Sequence, residues 1–212
     1  MSDESREFHK PVRRPAELFD RVYSAEDPAE VSRAAHSTAQ ALLSRVRDEP
    51  DADVVERLVG FTDQHGIDDI AELWSRSPAT SLPGALWRLY LIQLMIHDDP
   101  GTAALLYERG RIELSSADDV VAGAPTPAGP EELVTLIDVI LRGAFSGDFA
   151  VALERASAFC RVQAAGSTYI ADDYEPTEAD RASALTRRAL RLADYGTDLA
   201  TSAALWRRDA LT

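Results

Sequence analysis

The chain contains one lysine, Lys10, and one cysteine, Cys160, among its 212 residues. A single cysteine allows no intrachain disulfide and no cysteine-built zinc site. The expected location is therefore the reducing cytoplasm. Phosphate loops of the GxxxxGK[ST] type need a lysine in context, and Lys10 has none; GxGxxG is absent as well. The GxSxG, SxxK, HExxH and EF-hand signatures are also missing. None of the four histidines has Glu three residues before it, which removes the Glu-x-x-His pair of di-iron bundles. No cofactor is expected.

Long apolar runs are scarce too. The longest, Ala85 to Ile96, is broken by Arg88 and Gln93. It falls short of the roughly 20 residues a membrane span requires. The first residues, MSDESREFHKPVRRP, hold no apolar signal-peptide core. A soluble chain off the membrane is expected.

Positive charge is short. There are 22 basic against 36 acidic residues, for a formal net charge of -14. A body that acidic repels phosphate backbones, so nucleic-acid binding is not expected. Residues 1–14 mix Arg6, Lys10, Arg13 and Arg14 with Asp3, Glu4 and Glu7, and read as a disordered tail. Arginine in place of lysine, with much alanine, fits a high-GC bacterial genome.

Hydrophobic residues make up 45% of the chain and charged residues 27%, ordinary values for a folded protein. Ala, Leu, Arg and Glu dominate, and strand alternation is absent. The predicted helices are 15–24, 28–48, 52–64, 67–75, 82–97, 100–109, 130–145, 149–165 and 178–209, the last with a break near Gly196. Asp27-Pro28 and Asp99-Pro100 read as N-caps followed by first-turn prolines. Pro130-Glu131-Glu132 places acids in a first turn. Thr177-Glu178-Ala179-Asp180 reads as a capping-box start. Gly66, Gly110, Gly147 and Gly166 read as helix stops. The helix pairs 82–109 and 130–165 read as antiparallel hairpins. Residues 115–129 and 167–176 read as loops, the first a possible sub-boundary within one domain spanning 15–212.

Leu82 to Ile96 is apolar almost all round, the pattern of a helix surrounded by others. Arg88 within it needs an acidic partner, a route to solvent, or an anion in a pocket. Arg88, Gln93 and His97 are the candidate ligand-pocket residues. Phe149, Ala152, Leu153, Ala156, Phe159, Cys160 and Gln163 form one stripe, which makes Cys160 a core thiol. Leu185, Leu192, Leu199 and Trp206 recur every seven residues, a seam for the body or for a second copy. Arg187, Arg188 and Arg191 cluster on that helix, either as a solvated face or for an acidic partner.

LIQLMIHDD and VSRAAHSTAQALLSRV together resemble the metal-binding pattern of HD-domain phosphohydrolases. That resemblance implies His36, His97 and Asp98 as ligands of a divalent metal that activates water against a phosphoester. Asp138 and Asp148 are both candidates for the last ligand. Against it, His97 also reads as a cation near a helix C-terminus, and Asp99-Pro100 replaces the family's glycine-bearing turn. GAFSGDFAVALERA resembles a tetratricopeptide hairpin, but the repeat's positions do not recur at its period. Length and helicity are similar to TetR-type regulators, yet the N-terminal region holds no basic helix-turn-helix. SLPGALWRLYLIQLMIHDDP with GAFSGDFAVALERASAF resembles an uncharacterised family of all-helical actinobacterial proteins, and this implies fold and origin only.

The expectation is an all-α bundle of about eight or nine helices around a central apolar helix, 82–97. It is expected to act as a non-enzymatic interaction or regulatory module. It should bind a protein partner or self-associate as a homodimer, with room for a small ligand. The HD-type enzyme is the alternative.

Overall fold

A computed structural model describes residues 28–48, 73–114 and 129–212. The expected tail 1–14, the helices 15–24 and 52–64, residues 67–72 and the loop 115–128 lie outside the described residues. The described part is helical, with no strand among its residues. Six helices are described from end to end. They are α1 (Pro28–Asp48), α2 (Leu82–Asp98), α3 (Pro100–Leu114), α4 (Pro130–Ser146), α5 (Phe149–Tyr174) and α6 (Ala179–Trp206). Residues 73–75 are helical as well. No described helix is long and apolar enough to cross a membrane.

The helix starts follow the local chemistry. Ser81 caps α2 by accepting the Gly84 N–H at 3.2 Å. Asp99 accepts the Thr102 N–H at 3.0 Å, which ties down the first turn of α3. The backbone N–H of Thr102, and then its side chain, hold the Asp99 carboxyl below its usual range. Asp148 caps α5 by accepting from Ala150 and Val151. The capping box expected at Thr177 does not form. Glu178 is the N-cap of α6 without a side-chain bond, because the Thr177 and Glu178 amides both turn back to the Tyr174 carbonyl.

Three glycines expected to stop or break helices lie inside them. α3 runs past Gly110 to Leu114, α5 runs past Gly166 to Tyr174, and α6 runs unbroken through Gly196. The loop expected from residue 167 is thus mostly the last two turns of α5. Each of these glycines is a place where helices touch. Gly110 and Gly166 sit where α3 crosses α5, and Gly196 rests on Ser157, Cys160 and Arg161 of α5. Of the expected stops among the described residues, only Gly147 ends its helix, as the C-cap of α4; Gly66 lies outside the described residues.

The packing centres on α5. Its stripe Phe149, Ala152, Leu153, Ala156, Phe159, Cys160 and Gln163 is buried throughout. α6 lies along it, burying Leu192 and Leu199, while Trp206 meets Phe149 edge-on at 4.9 Å. The seven-residue seam of α6 therefore serves the body of the chain. α3 lies across α5, with Tyr107 stacked on Phe159 at 5.2 Å. α2 and α3, joined by Asp99 alone, touch each other little, so the first expected hairpin is an open corner. α2 buries Leu82, Ala85, Leu86, Leu89, Ile92 and Ile96 along one side and leaves Leu94 half-exposed. α1 buries Ala35, Ala39 and Leu43, and the Trp74 indole donates to the Thr38 hydroxyl at 3.1 Å.

Candidate functional site

Gln93 and His97 are one helical turn apart on α2 and so share a face. Both reach the same atom on α4. The Gln93 amide donates to Asp138 Oδ1 at 3.2 Å, and His97 Nε2 lies 3.0 Å from that oxygen. Asp138 thus gathers two of the three expected pocket residues. The cluster is half-open to solvent, so its electrostatics are screened. With Nε2–H donated to Asp138, His97 keeps its Nδ1 lone pair for a proton or a ligand. The arrangement can hold and orient an imidazole.

Arg88 goes elsewhere. It lies five residues before Gln93, on another side of α2. It donates through Nε to Asp198 Oδ2 of α6 at 2.8 Å, and through Nη1 to the Gly84 carbonyl at 3.1 Å. Nη2 lies 2.8 Å from the same Asp198 oxygen, and the guanidinium stands 5.5 Å from the centre of the Tyr195 ring. This is the acidic partner that an arginine on an apolar helix requires. Arg88 therefore ties α2 to α6 and does not complete a pocket with Gln93 and His97.

The trio implied by the HD resemblance does not form a metal site among the described residues. His36 Nδ1 lies 2.7 Å from the Ser32 carbonyl of its own helix. His97 is engaged by Asp138, and Asp98 is exposed at the end of α2. Among the described residues, no three His, Cys, Asp or Glu side chains come together to hold a metal ion. Asp138 meets His97, while Asp148 is spent as the cap of α5.

Cys160 is fully buried, and burial pushes its thiol up to about 12, with Arg161 opposing weakly. A thiol so held is no nucleophile at neutral pH.

Two features escaped sequence reasoning. Asp198 as the partner of Arg88 depends on how α2 crosses α6, and local sequence holds no record of that crossing. The outward apolar side chains of α3, Leu105 and Ile112, are 50% and 63% exposed. Their seven-residue spacing was readable, but which face of α3 is covered was not. No family model matches the chain, and it has no match among the curated proteins or the solved structures.

Proposed function

We propose that the chain is a non-enzymatic interaction module that self-associates through α3. The observation that carries this reading is that α3 is apolar on two faces. Ala103, Leu106, Tyr107 and Gly110 are buried inward, while Leu105 and Ile112 face outward. Both are already about half covered, so burying the remainder of each on a partner is favourable by about 1–2 kcal/mol.

Charge supports the same face. The chain carries -14, which opposes the approach of two copies. α3 is electrically balanced, with Glu108 and Glu113 against Arg109 and Arg111. An antiparallel pairing about a two-fold axis between residues 108 and 109 is self-complementary. It sets Leu105 of one protomer against Ile112 of its partner, and Glu108 against Arg109. The same reading takes the full chain as eight or nine helices about residues 82–97, in the cytoplasm of an actinobacterium.

Native mass spectrometry of protein purified without chelator tests this. The expected result is a metal-free dimer that becomes monomeric in Leu105→Glu/Ile112→Glu with unchanged helicity. A monomeric wild-type chain overturns self-association. A stoichiometric metal ion lost in His97→Ala would instead favour the HD-type alternative.

A further inference from the structure

Beyond the end of α6 the chain turns back and reaches the start of α2. The turn is a Schellman motif. The Asp209 N–H donates to the Trp206 carbonyl and the Ala210 N–H to the Leu205 carbonyl, both at 3.0 Å. Asp209 takes the left-handed backbone that this motif requires, with φ 53°, and no other non-glycine among the described residues does so. Aspartate enters that region at a steric cost that glycine does not bear.

Past the turn the chain is a hook. Residues 207–210 and Thr212 are exposed, while Leu211 is 8% exposed and belongs to the core. The Thr212 carbonyl then accepts the Leu82 N–H at 3.0 Å. The first amides of a helix have no partner within it. In α2, Pro83 brings no N–H, Gly84 donates to the Ser81 hydroxyl, and Ala85 donates to the Ser81 carbonyl at 2.8 Å. Leu82 is the donor of this turn that another element satisfies, and a carbonyl oxygen there also meets the positive end of the helix dipole.

α6 holds the same stretch of α2 a second time. Arg88 bonds both the Gly84 carbonyl and Asp198. The hook and the Arg88–Asp198 pair thus tie the first two turns of α2 to one helix. The hook brings one buried side chain and one bond to α2, and the residues around Leu211 are exposed. A segment held so lightly opens at a lower free energy than the core.

We propose that residues 209–212 are a conformational latch on α2, coupled to the Arg88–Asp198 pair, that opens and closes while α3 and α5 stay folded. Opening bares Leu211 and frees the start of α2. The latch is separate from the outward face of α3 and from the Gln93–His97–Asp138 cluster.

Native-state hydrogen exchange of the full chain in low urea tests the latch, because the Leu82 amide reports its closure directly. That amide is expected to be protected, yet to exchange faster than the Phe159 amide of α5 and with less dependence on urea. Asp209→Gly eases the turn and should slow Leu82 exchange, whereas Asp209→Val should speed it by about tenfold. Leu211→Ala should speed it by about tenfold or more. Asp198→Ala, which removes the second tie, should speed it by about threefold or more. An unprotected Leu82 amide overturns the latch, as does Leu82 exchange that needs the same global unfolding as Phe159. Exchange unmoved by Asp209→Val and Leu211→Ala overturns it as well. Leu82 exchange unchanged in Asp198→Ala overturns the coupling. Should Leu211→Ala fail to fold, the wild-type urea dependence and the two Asp209 variants decide.

Discussion

Gly110 of α3 and Gly166 of α5 face each other across a helix crossing. A methyl group on either would overlap the other helix's backbone: at the Val162 carbonyl for Gly110, at the Leu106 carbonyl for Gly166. The two helices approach until their main chains touch. That contact carries α3 across the middle of α5, and it decides which side of α3 is left facing outward.

Gly110→Ala and Gly166→Ala should each destabilise the fold by about 1–3 kcal/mol, because the helices must separate to admit the methyl. Helix propensity alone predicts the opposite sign, a gain of about 1 kcal/mol. Urea unfolding distinguishes the two. The double variant should cost less than the sum, since one separation makes room for both methyls. A neutral or stabilising single substitution would contradict the crossing.

Asp198→Ala should cost about 2 kcal/mol. It strands the Arg88 guanidinium, which is only 15% exposed, without its carboxylate. Arg88→Met should cost less, because the remaining aspartate is more exposed. A double-mutant cycle on chemical denaturation reads the coupling, and a value below about 0.5 kcal/mol would show that the pair does not join α2 to α6.

Asp138→Ala should lower stability by less than about 1 kcal/mol, since the His97–Asp138 pair is more than one-third exposed on both sides. Substitutions there can then be read as effects on binding without a folding correction. A cost above 2 kcal/mol, by the same unfolding experiment, would make the cluster a structural bond instead.

Cys160 should resist thiol reagents until the protein unfolds. Its folded thiol, pushed up to about 12, keeps its proton longer than an unfolded one near 8.5. Between those values the native state binds more protons, so this contribution to stability falls as pH rises through the window. Comparing the alkaline slope of wild type with Cys160→Ala isolates it. Equal slopes, or rapid labelling of the native protein, would contradict the burial.

The Asp99 cap and the buried stripe of α5 were legible because each depends on a few neighbouring residues, whereas Asp148, read as a candidate metal ligand, is the cap of α5. A cap needs a short polar side chain before a first turn, and a stripe needs only the helical period. The Gln93–His97 pairing was half-legible: spacing puts both on one face of α2, but Asp138 as their meeting point requires α4 to lie alongside. Arg88 announced that it needed an acid without saying which.

Composition and period therefore determined that this chain is helical, acidic and free of the common catalytic loops. Tertiary structure decided what its glycines do. Gly110, Gly166 and Gly196 have the same missing side chain as Gly147, yet only Gly147 ends a helix. A missing side chain both loosens a helix end and lets another helix approach. Local sequence is the same in either case, and only the neighbour across the gap selects between them.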